Sequence, residues 1–403
     1  MKPELLSPAG NFEKLKVAIH YGADAVYLGG KNFSLRSFAD NFNLDEIKKA
    51  ITYAHSYGVK AYVTVNTFLH NNDLNNLPDY LQYLQELRVD AIIITDPALI
   101  YIAKKYAPTL PLHLSTQANS TNWQSIKFWE EHGLKRINLA RELSLEEAKE
   151  IRSRVKIELE CFIHGAMCIS YSGRCLLSAY LTDRSANKGR CTHPCRWKYK
   201  LIEDTRPNDI FTIEEDIMGT YIMNSKDLCL IEHIPQLIEA GINSFKIEGR
   251  MKGIYYVGGV TKFYRYAIDQ YIANPKDYVY NPLWLEELKN ISNRGYTTGF
   301  YFDIMSAESQ NYSSSSYIQQ TKLVGIVKEV LGDKQFKIEI RNKFFHDDEI
   351  EILGRENVIY KDKLFEMFDE EGNKLYFAQP NQIVTIKCDY PLSKFDLIRM
   401  IKK

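Results

Sequence analysis

Short β-branched runs recur along the first 250 residues, and each is followed by a helix-length amphipathic segment. The runs predict strands over Glu4 to Ser7, Ala25 to Leu28, Lys60 to Val65, Ala91 to Thr95, Pro111 to Ser115, Arg136 to Leu139, Lys156 to Phe162 and Ser244 to Glu248. Apolar residues at three- and four-residue steps predict helices over Glu13 to Tyr21, Leu44 to Tyr57, Pro78 to Leu87, Asn122 to His132, Leu145 to Arg154 and Lys226 to Ala240. Alternating strand and helix units imply parallel strands with helices outside. Eight such strands predict an α/β fold, a TIM-like (β/α)8 barrel, although an open doubly wound sheet gives the same local signal.

The strand ends favour the barrel, whose active sites lie at the C-terminal ends of its strands. Nearly every run closes on a polar or glycine-rich step, such as Ser7-Pro8-Ala9-Gly10, Gly29-Gly30, Ser115-Thr116-Gln117 and Glu248-Gly249-Arg250. Turn chemistry accounts for the Gly, Ser and Asp members of this ring. It does not account for Asn66, Gln117, Arg141, His164, Glu248 and Arg250. Arg141 and Arg250, with Arg36 from the loop after the second strand, are suited to hold a carboxylate or phosphate through paired N–H donors. An anionic small molecule is the expected ligand.

About 60 residues separate the seventh strand from Ser225-Lys226-Asp227-Leu228-Cys229, where a short loop is expected. Loops of that length are usually functional. This insertion and the segment closing it carry Cys168, Cys175, Cys191, Cys195 and Cys229, five of the seven cysteines within 62 residues. Thiolates in that density select zinc, copper or an iron–sulfur cluster over hard cations. Zinc ligands come in close pairs, a spacing met only by Cys191 and Cys195, whereas single, well-spaced cysteines suit the corners of a [4Fe–4S] cube. Cys161 and Cys388 lie in strand patterns and are expected in cores. The insertion also carries Arg184, Arg190, Arg196, Trp197, Lys198 and Tyr199, residue types that meet phosphates and stack on bases. A solvated charged loop with Trp197 covering the core is the competing reading.

Charge excludes one class of argument, because Lys plus Arg and Asp plus Glu number 51 each. Any nucleic-acid contact must therefore be a local patch. The N-terminus has no apolar stretch of signal-peptide length, and no run approaches the roughly 18 apolar residues of a membrane span, so a cytoplasmic protein with reduced thiols is expected. At 403 residues more than one domain is expected. We place the barrel at residues 1–305 with the insertion at 165–224, a Ser-rich linker at 306–320 and a small antiparallel β-barrel at 321–403, which would dock RNA or protein or cover the main domain.

The run Glu160-Cys161-Phe162-Ile163-His164-Gly165-Ala166-Met167-Cys168, continuing to Ser172-Gly173-Arg174-Cys175, resembles the collagenase-like peptidase family of unassigned catalytic type. So do Glu4 to Gly10, Ala25 to Gly30, Ser225 to Cys229 and Phe245 to Arg250. Within that family the chain is most similar to the bacterial tRNA hydroxylation proteins. The resemblance implies hydroxylation of the tRNA wobble uridine to 5-hydroxyuridine, prephenate as cosubstrate, and a [4Fe–4S] cluster held by Cys168, Cys175, Cys191 and Cys229, with Cys195 as an extra thiol or a replacement for one of them. Prephenate is a dicarboxylate, which matches an anion site of Arg36, Arg141 and Arg250, with Asn66 and Gln117 beside it. His164 is the expected proton donor or acceptor, because histidine titrates near neutral pH when unperturbed. Glu160 and Glu248 are alternative bases or arginine partners, and Arg190, Arg196 and Lys198 are the expected RNA contacts. The partners implied are tRNA and the dicarboxylate, without a membrane, and a homo-oligomer or a paralogous subunit is compatible with the chain. Two other readings compete. One is a peptidase, for which the His-Glu-x-x-His and Gly-x-Ser-x-Gly motifs are absent and only a Cys168–His164 pair is available. The other is a zinc- or cluster-stabilised RNA-binding or assembly protein.

Overall fold

The computed structural model describes residues 2–35, 40–168, 170–171, 174–186, 189–197, 215–216, 219–220, 226–302, 317–332, 334–356, 358–363 and 366–402. Strands β1 (Glu4–Pro8), β2 (Ala25–Gly29), β3 (Lys60–Val65), β4 (Ala91–Ile94), β5 (Leu112–Leu114), β6 (Arg136–Asn138) and β7 (Glu158–Ala166) pair in parallel in that order. A short strand β8 (Asp227–Cys229) pairs antiparallel to β7, and β9 (Ser244–Ile247) closes the ring by pairing with both β7 and β1. The result is the expected closed, eight-stranded parallel barrel.

Helices α1 (Phe12–His20), α2 (Leu44–Ser56), α3 (Leu77–Glu86), α4 (Ala98–Tyr106), α5 (Trp123–Glu131) and α6 (Leu145–Arg154) cover it from outside. Their starts are written in the sequence. Asn11 and Asn122 cap α1 and α5, while Asn43 with Glu46 and Ser144 with Glu147 form reciprocal capping boxes on α2 and α6. Helix α4 and the 20-residue α9 (Ile254–Ala273), which follows β9, were not among the predicted helices. A short α7 (Leu177–Thr182) lies in the insertion.

The predicted helix over 226–240 is corrected. Its first part is β8, followed by a single 3-10 turn at Ile231–His233 and the short α8 (Ile234–Glu239). Pro235 sits at the start of α8, where its missing N–H costs nothing, and Asp227 is held by a buried Arg294 at 2.5 Å. The apolar spacing that imitates a helix here comes from a strand and a helix read as one.

After α10 (Leu283–Asn290) the C-terminal part forms an antiparallel sheet. Thr321–Gly332 pairs with Gln335–Ile340 and Leu397–Ile401, over a separate core containing Val324, Ile338, Ile352, Ile386 and Met400. The sheet is antiparallel as expected, and among the described residues its outer strands do not pair with each other. It docks on α9 and the end of α1. Lys262 Nζ donates to Gly354 O at 2.8 Å, Leu397 N to Tyr21 Oη at 3.0 Å, and His20 Nε2 meets Asp396 Oδ1 at 2.7 Å. These contacts lie on the barrel's flank rather than over its mouth.

Candidate active site at the barrel mouth

Alternation along the strands sends every second side chain into the barrel. The interior holds an apolar layer of Leu6, Ala25, Tyr27, Tyr62, Ala91 and Ile93 beside an ionic network. Arg136 Nη1 donates to Glu4 Oε1 at 2.5 Å and lies 3.4 Å from Glu160 Oε2, while its Nε donates to Glu158 Oε2 at 2.9 Å. Lys246 Nζ donates to Glu160 Oε1 at 2.7 Å, and Ser244 Oγ bridges Glu4 and Glu160 at 3.1 and 3.3 Å. Glu160 is therefore a cation partner, the second of the two roles expected for it. Burial pushes the Lys246 ammonium below its ordinary value, with Glu160 opposing. This network was not anticipated beyond the cation-partner role expected for Glu160.

Above the network lie the predicted strand-end residues. Arg250 is buried, and its Nη1 donates to Ser34 Oγ at 2.9 Å and Thr64 Oγ1 at 3.1 Å. Asn66 Oδ1 accepts from Leu35 N at 3.2 Å. Arg141 Nη1 donates to Ala166 O at 2.9 Å and its guanidinium stacks on the Phe162 ring at 4.0 Å. Lys246 Nζ approaches the same ring at 5.5 Å, so Phe162 stands between two cations. Glu160 neutralises Lys246, whereas no carboxylate pairs with Arg141 among the described residues, and its buried Nε has no partner. Gln117 Oε1 is likewise buried and unpartnered, and its backbone oxygen accepts from Arg174 Nε of the insertion at 3.0 Å. Unpaired buried polar atoms at the mouth suit a polar ligand, because such atoms are rarely left unsatisfied. Glu248 is half-buried at the same level, with its N–H bonded to His164 O at 2.9 Å. Arg36 lies outside the described residues.

His164 takes a different place from the one its spacing implies. A register shift between Lys246 and Ile247 marks an irregularity where β7 meets β9, after which His164 no longer follows Glu160 and Phe162 into the barrel. It packs among Tyr256, Tyr264 and Tyr296, with ring centroids 5.7, 5.5 and 5.3 Å away, and its Nδ1 lies 3.3 Å from Tyr264 Oη. Burial, helped by Lys252, pushes its imidazole down to about 3, so the premise of ordinary titration near neutral pH is corrected. His164 shares no hydrogen bond with Cys168.

Cys229, opposite His164 on β8, is buried against the Tyr264 hydroxyl at 3.7 Å. Burial pushes its thiol up to about 12, with the Ile231 amide and Tyr264 only partly offsetting this. Cys168, Cys175, Cys191 and Cys195 are half-buried thiols outside any disulfide, all on the insertion, and Cys191 Sγ accepts from His193 N at 3.4 Å. Among the described residues no three of His, Cys, Asp and Glu stand close enough to grip one metal ion. An iron–sulfur cube takes one thiolate at each corner iron, whereas a zinc ion gathers its four ligands at one point. The insertion thiols fit such a cluster in donor chemistry, and Cys229 differs from them in being buried. Around them Tyr171, Tyr180 and Trp197 are exposed, as are Arg174 and Arg190. Trp197 therefore does not cover the core. Arg196 is described in backbone only, and Lys198 lies outside the described residues.

Family models of Peptidase family U32 and of its C-terminal domain match residues 10–311 and 319–399. The chain belongs to peptidase family U32. Among its U32 relatives, tRNA hydroxylation protein P1 of Bacillus subtilis is 45% identical over 401 residues, covering 99% of this chain and 94% of that protein. An uncharacterized protease of Methanocaldococcus jannaschii is 38% identical over 412 residues, 99% and 98% of the two chains. The 23S rRNA 5-hydroxycytidine C2501 synthase of Escherichia coli is 38% identical over 274 residues, 68% of this chain and 40% of that enzyme. A solved U32 peptidase structure matches 61% of this chain and 93% of its own, at 14% identity and a TM-score of 0.41. Among the described residues no helix is long and apolar enough to cross a membrane.

Proposed function

We propose that this U32 protein is an RNA hydroxylase that converts a tRNA wobble uridine to 5-hydroxyuridine, with prephenate as cosubstrate. The observation that carries this reading is the likeness, over 99% of the chain, to a protein named for tRNA hydroxylation. The mouth supports it. Arg141, with no carboxylate partner among the described residues and a buried unpartnered Nε, offers one anchor for a dicarboxylate, and Arg250, oriented by Ser34 and Thr64, offers a second. Exposed Tyr171, Tyr180 and Trp197 with Arg174 and Arg190 offer stacking faces and phosphate contacts at the rim.

In this reading Cys168, Cys175 and Cys191 supply three thiolates for a [4Fe–4S] cluster, and Cys229 or Cys195 the fourth. When bound, such a cluster supplies electron transfer or an iron Lewis acid beside the mouth. The chain's own part is to clamp the cosubstrate with arginines, hold Lys246 against Glu160, and exclude water through Phe162 and Tyr27. His164, neutral and caged, orients the base of the insertion through Tyr264. The peptidase reading lacks a nucleophile–base contact at Cys168.

The test is nucleoside analysis of tRNA from a deletion strain complemented with wild type, Arg141→Ala or Cys168→Ala. Loss of 5-hydroxyuridine on deletion, restored by wild type and by neither variant, is expected; unchanged tRNA in the deletion strain sinks the reading. Iron and acid-labile sulfide measured on protein purified without oxygen separate the fourth ligand, since Cys195→Ala and Cys229→Ala cannot both retain the full content.

A further inference from the structure

The chain as a whole is neutral, yet its described residues line one groove with a strong excess of one sign. The groove, about 870 Å³ in volume, opens at the base of the barrel, where β1, β2 and β3 begin and where the C-terminal domain meets α1 and α9. It is lined by seven Lys and Arg against three carboxylates. All three carboxylates are already engaged. Glu4 belongs to Arg136 and Tyr62, Asp24 to Arg265 at 2.7 Å, and Asp269 to Arg265 at 2.8 Å and Lys2 at 3.1 Å.

Lys16 on α1 and Arg355 and Lys394 on the C-terminal domain have no carboxylate partner among the described residues. Lys16 lies 4.4 Å from the Phe12 ring centroid and 5.6 Å from that of Tyr53. Burial lowers its ammonium value, and the like charges of Lys394 and Lys328 lower it further, with Glu13 opposing them only in part. Between these charges Tyr53 and Tyr57 pack at 4.9 Å, with Tyr57 60% exposed, and Tyr266 lines the same groove. Unneutralised cations drawn from two domains, alternating with open aromatic faces, are what a phosphodiester strand meets when its backbone is held and its bases stack.

We propose that this basal groove is a second RNA-binding site, which holds the body of the substrate RNA while a distant nucleotide enters the mouth. The proposal rests on the RNA-hydroxylase reading for the identity of the substrate. Strands of five or six residues place the two ends of the barrel roughly 17–20 Å apart, within the reach of a stem of about one helical turn. An isolated anticodon stem–loop would occupy the mouth and leave the groove empty.

The experiment is fluorescence anisotropy of an unmodified full-length tRNA transcript and of its isolated anticodon stem–loop, over a salt series, with wild type and a Lys16→Glu/Lys394→Glu variant. The variant is expected to bind full-length tRNA about tenfold more weakly, with a salt slope smaller by about two contacts, and to bind the stem–loop as wild type does. Tyr57→Ala is expected to weaken full-length binding several-fold without changing the slope. A milder Lys16→Gln/Lys394→Gln pair, checked by circular dichroism, guards against misfolding. Unchanged affinity for full-length tRNA, an equal loss with both RNAs, or competition by uridine monophosphate as strong as by RNA overturns the proposal. If nucleoside analysis finds no hydroxylation while the groove still binds RNA in this pattern, the functional reading falls and the groove stands.

Discussion

A Cβ built on Gly29 would lie 1.9 Å from Arg250 Nη1 and 2.3 Å from Ser34 Oγ, and one on Gly10 would lie 2.0 Å from Arg250 O. Glycine at these two strand ends makes room for one arginine. Gly29→Ala is therefore expected to dislodge Arg250 and lower kcat/KM by as much as about a hundredfold, a misplacement effect visible in steady-state hydroxylation assays while the far-UV spectrum stays native. Glu160 supports both Arg136 and Lys246, so Glu160→Gln leaves buried cations undercompensated and is expected to cost about 3 kcal/mol in urea unfolding. Burial alone would raise the Glu4 carboxyl, but Arg136 and the Tyr62 hydroxyl outweigh it and hold it below its ordinary 4.5. A lowered carboxyl stabilises the fold fully above that range and ceases to do so as pH falls through the lowered value. Acid unfolding of Glu4→Gln should accordingly show a flatter pH dependence below about pH 4.5 than wild type. Arg141 and Arg250 were legible in the sequence because they follow strands directly; Lys246 and Arg136 were not, because a charge inside a strand looks like its solvent face until the barrel closes over it.

Three elements meet at Tyr264 of α9. Its hydroxyl donates to Ile163 O on β7 at 2.8 Å, accepts from Leu230 N just past β8 at 3.0 Å, and covers Cys229. Tyr264→Phe would remove one bond each from the Ile163 carbonyl and the Leu230 amide, which keep their bond to each other at 3.0 Å, and should lower stability by about 1 kcal/mol in chemical denaturation. On the same helix a Cβ at Gly258 would meet Leu397 and Tyr21 at 2.8 Å, and one at Gly259 would meet Ile291 at 2.4 Å. Gly259→Val overpacks that contact and is expected to cost about 2 kcal/mol, read as a lower thermal midpoint. The eight barrel strands were legible from β-branched runs bounded by turns. Strand β8 was not, because Asp227 to Glu239 keeps a helical apolar spacing across two different elements. The turn of His164 out of the barrel was hidden for another reason: an irregularity in register leaves no mark in a sequence whose alternation continues through it.

The barrel and the C-terminal sheet share a core as well as a boundary, since Ile326, Leu353 and Leu397 pack into the barrel's own apolar cluster. Tyr255 bonds Thr321 at 2.7 Å and accepts from Arg399 at 2.9 Å across the same seam, where Arg399 also pairs with Glu351 and Glu287. A single calorimetric transition is expected for the whole chain, and removal of residues 317–403 should bare Tyr21 and the Gly258–Gly259 face and yield a barrel that aggregates on heating. Two separate transitions would count against this coupling.

The insertion leaves β7 at Ala166 and returns at Asp227, and those two residues are register partners. Its ends are thus pinned side by side on a strand the barrel already holds, and closing a longer or shorter loop between them adds only about 0.6 kcal/mol per doubling of length. The insertion's attachment is a fixed socket: under the RNA-hydroxylase reading, its length and rim residues could be exchanged to suit another RNA without re-engineering the barrel beneath.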